Sequence, residues 1–84
     1  MNVMETLQEV NTIFREVLDD DTIVLSPETS AADVEGWDSL NHIYMVVELE
    51  KHFRIKFSTE EVHTWQNVGE ICRAIESKVK QKAG

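Results

Sequence analysis

The most informative segment of the chain, residues 36–53, reads GWDSLNHIYMVVELEKHF. Asp38 is a favoured N-cap residue, and from Ser39 to about His52 the larger side chains recur at three- and four-residue steps. The resulting stripe comprises His42, Met45, Val46, Leu49 and Phe53, with Leu40 and Ile43 on its flank. The pattern predicts an amphipathic helix that follows a loop and has a serine hydroxyl in its first turn.

On the N-terminal side, the sequence predicts one helix and one long loop. Apolar residues at helical spacing indicate a helix over residues 4–18, and three consecutive aspartates at 19–21 end the pattern. Residues 22–37 have no sustained periodicity, and Ser26-Pro27 is a turn signal. A loop this long is often functional, and its apolar run 23–25 is expected to anchor it to the core.

On the C-terminal side, two more helices are predicted. The alternation over residues 53–57 favours an extended linker, because a short strand needs a partner strand. Ser58 and Glu61 fit a capping box for a short helix near 59–64, and Asn67 and Glu70 fit a weaker one for a helix over 68–81. The prediction is an all-α, small four-helix bundle: three longer helices, one short helix, and a long loop between the first and second. We expect residues 1–84 to form a single domain.

Charge and length narrow the classes of function. Sixteen acidic residues against eight basic ones give a net charge of −8, which disfavours nucleic acid and favours partners with basic docking surfaces. No apolar run approaches the roughly 18 residues of a membrane span, and no signal-peptide pattern is present, so we expect a cytoplasmic protein. A monomer is the default expectation. A core this small suits an attachment site or a docking surface better than an enzyme's active site.

The spacing of the serine, histidine and aspartate residues disfavours several hypotheses of a catalytic or metal site. Ser39 and His42 lie three residues apart, but no orienting carboxylate is implied and the surroundings do not match Gly-x-Ser-x-Gly. The aspartates at 19–21 lack the spacing of a calcium loop, and the three histidines are ten and eleven residues apart with no cysteine nearby, so no metal site is predicted. Cys72, the single cysteine, is expected to be buried and unreactive.

After catalytic and metal sites are disfavoured, residues 36–40 are the remaining motif that predicts a chemical function. A helix N-terminus presents unpaired N–H groups and a positive dipole end, which suit a phosphate attached to Ser39. The preceding loop would leave this hydroxyl open to a large modifying enzyme. By itself, the sequence Asp38-Ser39-Leu40 is more simply explained as a plain helix start.

The whole arrangement resembles the acyl carrier protein family over roughly residues 4–80. The most specific part is residues 36–40, supported by residues 48–50, Phe53 and residues 57–61. The resemblance implies that Ser39, flanked by Asp38 and Leu40, receives 4′-phosphopantetheine from coenzyme A through a holo-carrier synthase, a phosphopantetheinyl transferase. It implies a carrier, not an enzyme, that holds acyl groups as thioesters and shuttles them between loading and transfer enzymes of a lipid, polyketide or related pathway.

The resemblance also implies that partners contact the second helix, at Asn41, Tyr44, Glu48 and Lys51. Fatty-acid carriers that are commonly studied have acidic residues at the positions of Asn41, Tyr44 and Lys51, whereas here only Glu48 of the four is acidic. This favours a dedicated carrier of a specialised pathway. Two alternatives stay open: an aminoacyl or peptidyl carrier loaded by an adenylating enzyme, and a helical interaction domain without a carrier role.

A carried lipid chain could fold back between the helices. Ile43, Met45 and Val46 are candidates to line such a pocket, because they lie on or beside the apolar stripe and methionine repacks easily around irregular guests. For each of these residues, ordinary core packing is the simpler explanation.

Overall fold

The computed structural model describes residues 3–83, and the side chains of residues 4–82. It contains four α-helices and no strand within residues 3–83, which confirms the all-α prediction. The elements are α1 (Val3–Leu18), a 3₁₀ turn (Ala31–Asp33), α2 (Ser39–Phe53), α3 (Thr59–Thr64) and α4 (Val68–Ala83). The 3₁₀ turn was not predicted, because a single turn has no periodicity to detect.

The core lies between the three long helices. Helix α1 packs against both α2 and α4, and Phe14 of α1 is fully buried beneath them. Met45 and Leu49 of α2 and Ile71 and Ile75 of α4 are likewise at most 1% exposed. Burying each such side chain stabilises the fold by about 1.5–3 kcal/mol. The short helix α3 contributes only Val62 to the buried set.

The long loop is fixed to α1 by polar contacts. Asn11 donates through Nδ2 to the carbonyl of Ile23 (3.0 Å) and accepts through Oδ1 from the N–H of Leu25 (2.6 Å). Arg15 donates through Nε to the carbonyl of Ile23 (2.7 Å). Ile23 and Leu25 are buried, so the predicted anchoring of the apolar run is confirmed, while Val24 between them points outward.

The same loop also caps the start of α4. The N–H of Val68 donates to the carbonyl of Thr29, and the N–H of Gly69 donates to the carbonyl of Pro27, both at 2.8 Å. These contacts satisfy two donors that a helix N-terminus otherwise leaves unpaired. Gly69 is buried, and a Cβ atom on it would lie 3.0 Å from the Pro27 carbonyl oxygen.

The segment between α2 and α3 is a linker, as predicted. Helix α2 ends at Arg54, whose left-handed conformation (φ 56°, ψ 50°) turns the chain. The N–H of Ile55 donates to the carbonyl of Glu50 (3.1 Å), and the N–H of Phe57 donates to the Glu50 carboxylate (2.9 Å). Ile55 is buried and Phe57 is half-buried, so both serve as anchors.

Of the two predicted capping boxes, one forms fully. The hydroxyl of Ser58 accepts from the N–H of Glu61, and the Glu61 carboxylate accepts from the N–H of Ser58, both at 3.1 Å. Asn67 caps α4 by accepting from the N–H of Glu70 (3.0 Å). The Glu70 carboxylate, however, accepts from the N–H of Gln66 and not from that of Asn67, so the second box is shifted by one residue.

Candidate functional site

Ser39 is the first residue of α2 and is exposed. Asp38 caps the helix as predicted: it has extended backbone angles, and its Oδ1 accepts from the N–H of Asn41 at 2.8 Å. The carbonyl of Asp38 accepts from the N–H of His42 at 2.8 Å, which closes the first turn. The Ser39 hydroxyl is therefore held on a helix start of fixed direction.

Two backbone donors beside this hydroxyl are unpaired. Within residues 3–83, no hydrogen bond is made by the N–H of Ser39 or of Leu40. Both groups lie at the positive end of the dipole of a 15-residue helix, where an anion is stabilised. An exposed hydroxyl next to two free donors fits the attachment of a phosphate-linked group such as 4′-phosphopantetheine.

Asn41 ties the preceding loop to the helix. Its Nδ2 donates to the carbonyl of Gly36 (2.7 Å), which also accepts from the N–H of Asp38 (3.1 Å). Gly36 has a φ of 90°, a conformation that glycine adopts without the cost a side chain would add. Asn41, predicted as a partner contact, is half-buried and serves first as a structural clamp at this turn.

His42 connects three elements of the structure. The indole N–H of Trp37, in the loop, donates to Nδ1 of His42 (3.0 Å). Because an indole nitrogen only donates, Nδ1 must be the acceptor, and the imidazole proton lies on Nε2. Nε2 faces the carbonyl of Val62 in α3 at 3.4 Å. Both ring nitrogens of His42 are thus engaged, and neither is available to Ser39 as a base.

An aromatic-lined cleft lies beside Ser39. Its volume is about 440 Å³, and it runs between the loop, the first turns of α2 and the end of α3. The lining residues are Ala31, Trp37, Asp38, Ser39, His42, Ile43, Val62, His63, Trp65 and Gln66. Trp37 packs edge-on against Phe14 (4.9 Å between ring centroids), and Trp65 packs edge-on against Phe57 (4.8 Å). The two tryptophans are packing anchors, and they also form walls of the cleft.

The three predicted pocket residues lie in different surroundings. Ile43 is 50% exposed and lines the cleft. Met45 is 1% exposed and belongs to the packed core, and Val46 is 9% exposed. Neither Met45 nor Val46 lines the cleft beside Ser39.

The predicted partner-contact residues mostly lie on one exposed face of α2. Tyr44, Glu48 and Lys51 are exposed, and the Lys51 Nζ atom lies 3.8 Å from the Glu48 Oε1 atom. The sequence pattern did not predict that this exposed face of α2 carries large apolar side chains. Large apolar side chains at helical spacing are 41–61% exposed along it: Leu40, Ile43, Tyr44 and Val47.

Sequence reasoning missed the hydrogen bond between Trp37 and His42 and the place of both tryptophans in the walls of the cleft. The two tryptophans lie in irregular segments, where periodicity carries no signal, and His42 reads as one more member of the apolar stripe. The five-residue separation of Trp37 and His42 across a capped helix start is the only local hint of their hydrogen bond.

Three further properties of the described residues bear on function. Cys72 is buried, as predicted, and burial together with the nearby Glu76 charge raises the pKa of its thiol to about 11. Among residues 3–83, no group of three or more His, Cys, Asp or Glu side chains could hold a metal ion. None of the helices in this part of the chain has both the length and the apolar character needed to cross a membrane.

Comparison with known proteins places these features in a family. The family described as "Phosphopantetheine attachment site" matches residues 8–75. An acyl carrier protein from Thermosynechococcus vestitus is 30% identical over 79 residues, which cover 94% of this chain and 98% of that protein. One from Helicobacter pylori (strain 26695) is 26% identical over 73 residues, covering 87% and 94% respectively.

A solved structure shares both the fold and much of the sequence. The solution NMR structure of a holo acyl carrier protein from Geobacter metallireducens is 45% identical, with a TM-score of 0.89 over 95% of this chain and 92% of that one. The relatives and the structure together confirm the predicted family, fold and prosthetic group. The chain belongs to the acyl carrier protein family, and it is a non-enzymatic carrier of acyl groups on a covalently attached 4′-phosphopantetheine.

Proposed function

We propose that Ser39 is the residue that bears the phosphopantetheine arm. The observation that carries this proposal is its exposed hydroxyl on the first residue of α2, flanked by the unpaired N–H groups of Ser39 and Leu40. When bound, the group supplies a terminal thiol on which an acyl chain is held as a thioester. Partner enzymes perform the acyl transfer, and the carrier attaches, orients and presents the cargo.

The residues around Ser39 orient the arm. Asp38 and Asn41 fix the first turn of α2 and the loop before it, so the direction in which an attached group leaves the surface is set before any partner binds. Leu40 is 61% exposed next to Ser39 and offers an apolar contact to the phosphopantetheinyl transferase that modifies the site. In these roles neither Asp38 nor Leu40 contacts a reacting atom.

The cleft beside Ser39 can shelter the cargo close to its attachment. Ile43 and the two tryptophans offer apolar walls there. Met45 and Val46 would meet an acyl chain only if α2 moved away from the core that buries them. Loading saturated acyl chains of rising length tests this: shifts confined to Ile43 and the indole N–H signals assign the cargo to the cleft, and shifts of the Met45 methyl assign it to the core.

The exposed face of α2 supports a docking role in a specialised pathway. Tyr44, Glu48 and Lys51 lie on it together with exposed Leu40 and Val47, so the face combines apolar area with few acids. Such a surface fits dedicated loading and transfer enzymes that contribute apolar contacts and a small number of cations. The carrier would act as a cytoplasmic monomer.

The attachment proposal is tested by intact-protein mass spectrometry after incubation with coenzyme A, magnesium and a broad-specificity phosphopantetheinyl transferase. The wild-type protein should gain one phosphopantetheine, and Ser39→Ala should gain none while folding normally, since a first-turn hydroxyl contributes little stability. Ser77→Ala, an exposed serine in the middle of α4, is the matched control and should be modified like the wild type. Modification of the Ser39→Ala variant would place the arm elsewhere.

A further inference from the structure

Five of the eight Lys and Arg residues of the chain line a single cleft. This basic cleft has a volume of about 610 Å³ and lies between the C-terminal end of α2, the following linker and the last turns of α4. Its cations are Lys51, Arg54, Lys56, Lys78 and Lys82. Since α2 has 15 residues and rises 1.5 Å per residue, the basic cleft is about 20 Å from Ser39.

Most of these cations are not neutralised inside the molecule. Arg54, Lys56 and Lys82 make no salt bridge with any carboxylate of residues 3–83. Lys78 pairs with Glu61 at 3.0 Å, and Lys51 is only loosely paired with Glu48. Cations near the C-termini of α2 and α4 complement the helix dipoles, but that reason does not apply to Lys56, which lies in the linker outside any helix.

The rest of the chain has the opposite charge. Residues 1–38 contain ten acids and the single base Arg15, and the net charge of the chain is −8. Because the charge is divided in this way, a partner of uniform charge cannot match both regions. Basic docking surfaces suit the acidic region, whereas the basic cleft favours an anionic partner.

We propose that the basic cleft docks a carboxylate-rich segment of a partner protein. A narrow segment can lie between the two helix ends and contact the cations there. Glu50, the one acidic residue that lines the basic cleft, already accepts from the N–H of Phe57. A flat anionic bilayer is disfavoured, because it would approach a protein whose net charge is −8. A partner held here leaves free Ser39 and the apolar part of the exposed face of α2, residues 40–47, while Lys51 belongs to both surfaces. The carrier can therefore be tethered while its arm visits other enzymes.

The test uses NMR titration of the Ser39→Ala protein with a synthetic hexaglutamate peptide, so that its result does not depend on where the arm is attached. Backbone signals of residues 51–56 and 78–82 should shift, and those of residues 39–44 should not. The double variant Lys56→Glu/Lys82→Glu should weaken the peptide's affinity by about tenfold or more, since several charge pairs are reversed.

Lys80→Glu is the matched control, because Lys80 is exposed on α4 but does not line the basic cleft. It should change the affinity by about twofold at most. Equal weakening by Lys80→Glu would show attraction to overall charge and overturn the proposal. Binding to phosphatidylglycerol vesicles without binding to hexaglutamate would also overturn it and assign the cleft to a membrane surface.

Discussion

At the scale of single residues, the least expected feature is the pair of hydrogen bonds made by His42. One nitrogen accepts from the Trp37 indole and the other faces the Val62 carbonyl, so one imidazole joins the loop, α2 and α3. A half-buried polar side chain on an otherwise apolar stripe is stable here because both of its polar atoms have partners. The hydrogen bonds also fix one wall of the cleft beside Ser39.

We therefore predict that His42→Leu lowers the free energy of unfolding by about 1–3 kcal/mol, because it leaves the Trp37 N–H and the Val62 carbonyl without partners. Urea denaturation followed by tryptophan fluorescence measures the change. His63→Leu is the control: His63 is exposed in α3, and its replacement should change stability by no more than about 0.5 kcal/mol. Similar losses in both variants would mean that the His42 hydrogen bonds contribute nothing.

At the scale of elements, the long loop is held by its contacts with α4. The carbonyls of Pro27 and Thr29 accept from the first N–H groups of α4, and the close approach at Gly69 depends on the absence of a side chain. The loop that precedes Ser39 is thus positioned by the helix that is farthest from it in sequence.

Gly69→Ala should destabilise the protein by about 1 kcal/mol. The new Cβ would lie 3.0 Å from the Pro27 carbonyl oxygen, and that oxygen cannot retreat without lengthening its 2.8 Å hydrogen bond. This overpacking cost of about 1–3 kcal/mol exceeds the gain of up to about 1 kcal/mol from alanine's helix propensity. Urea denaturation measures the net effect. A more stable variant would show that the loop at Pro27 can shift away from the new Cβ atom at little cost in free energy. Ser77→Ala, exposed in the same helix, should be close to neutral.

A second element-scale contact joins α3 to α4. Lys78 lies 3.0 Å from the Glu61 carboxylate and, together with the Ser58 N–H, holds the pKa of Glu61 below its ordinary value. A lowered pKa in the folded state contributes stability above the ordinary value of 4.5, and that contribution is lost as the pH falls through the folded-state pKa.

Lys78→Met should therefore lower the thermal midpoint by a few degrees at neutral pH, and the difference from wild type should shrink steadily below about pH 4.5. Thermal melts across this pH range provide the measurement. Lys80→Met, which removes a lysine that has no ion pair within residues 3–83, should follow the wild-type curve throughout. A pH-independent loss in Lys78→Met would point to lost packing of the lysine stem instead of lost charge.

At the scale of the whole molecule, the two proposals assign separate tasks to the two ends of α2: attachment of the arm at Ser39 and docking at the basic cleft. Ser39 and the basic cleft are about 20 Å apart, more than twice the screening length of roughly 8 Å at physiological salt. Charges at one end should therefore have little influence on events at the other.

We expect Lys56→Glu/Lys82→Glu to accept phosphopantetheine at nearly the wild-type rate, within about twofold at physiological salt. A mass-spectrometric time course with coenzyme A and a transferase measures this. A much slower reaction would mean that the transferase itself uses the basic end, and that the two ends are not independent.

Local signals predicted most of this architecture. The caps at Asp38 and Ser58 depend on residues three positions apart, and the apolar stripes depend on helical spacing, so both can be read from the chain. The contacts that shape the site are different, because the Trp37–His42 hydrogen bond follows from a turn and the basic cleft unites residues 51–56 with residues 78–82. The contacts across the basic cleft exist only after α2 and α4 have packed, and neither kind of contact is encoded in a periodicity.

The position of the two tryptophans gives the protein a built-in optical reporter. Trp37 and Trp65 are the only tryptophans of the chain, and both line the cleft beside Ser39. Nearly all of the native tryptophan emission therefore originates at one place. Cargo that enters the cleft will change this emission without any added label, whereas a ligand at the opposite end of α2 will leave it unchanged.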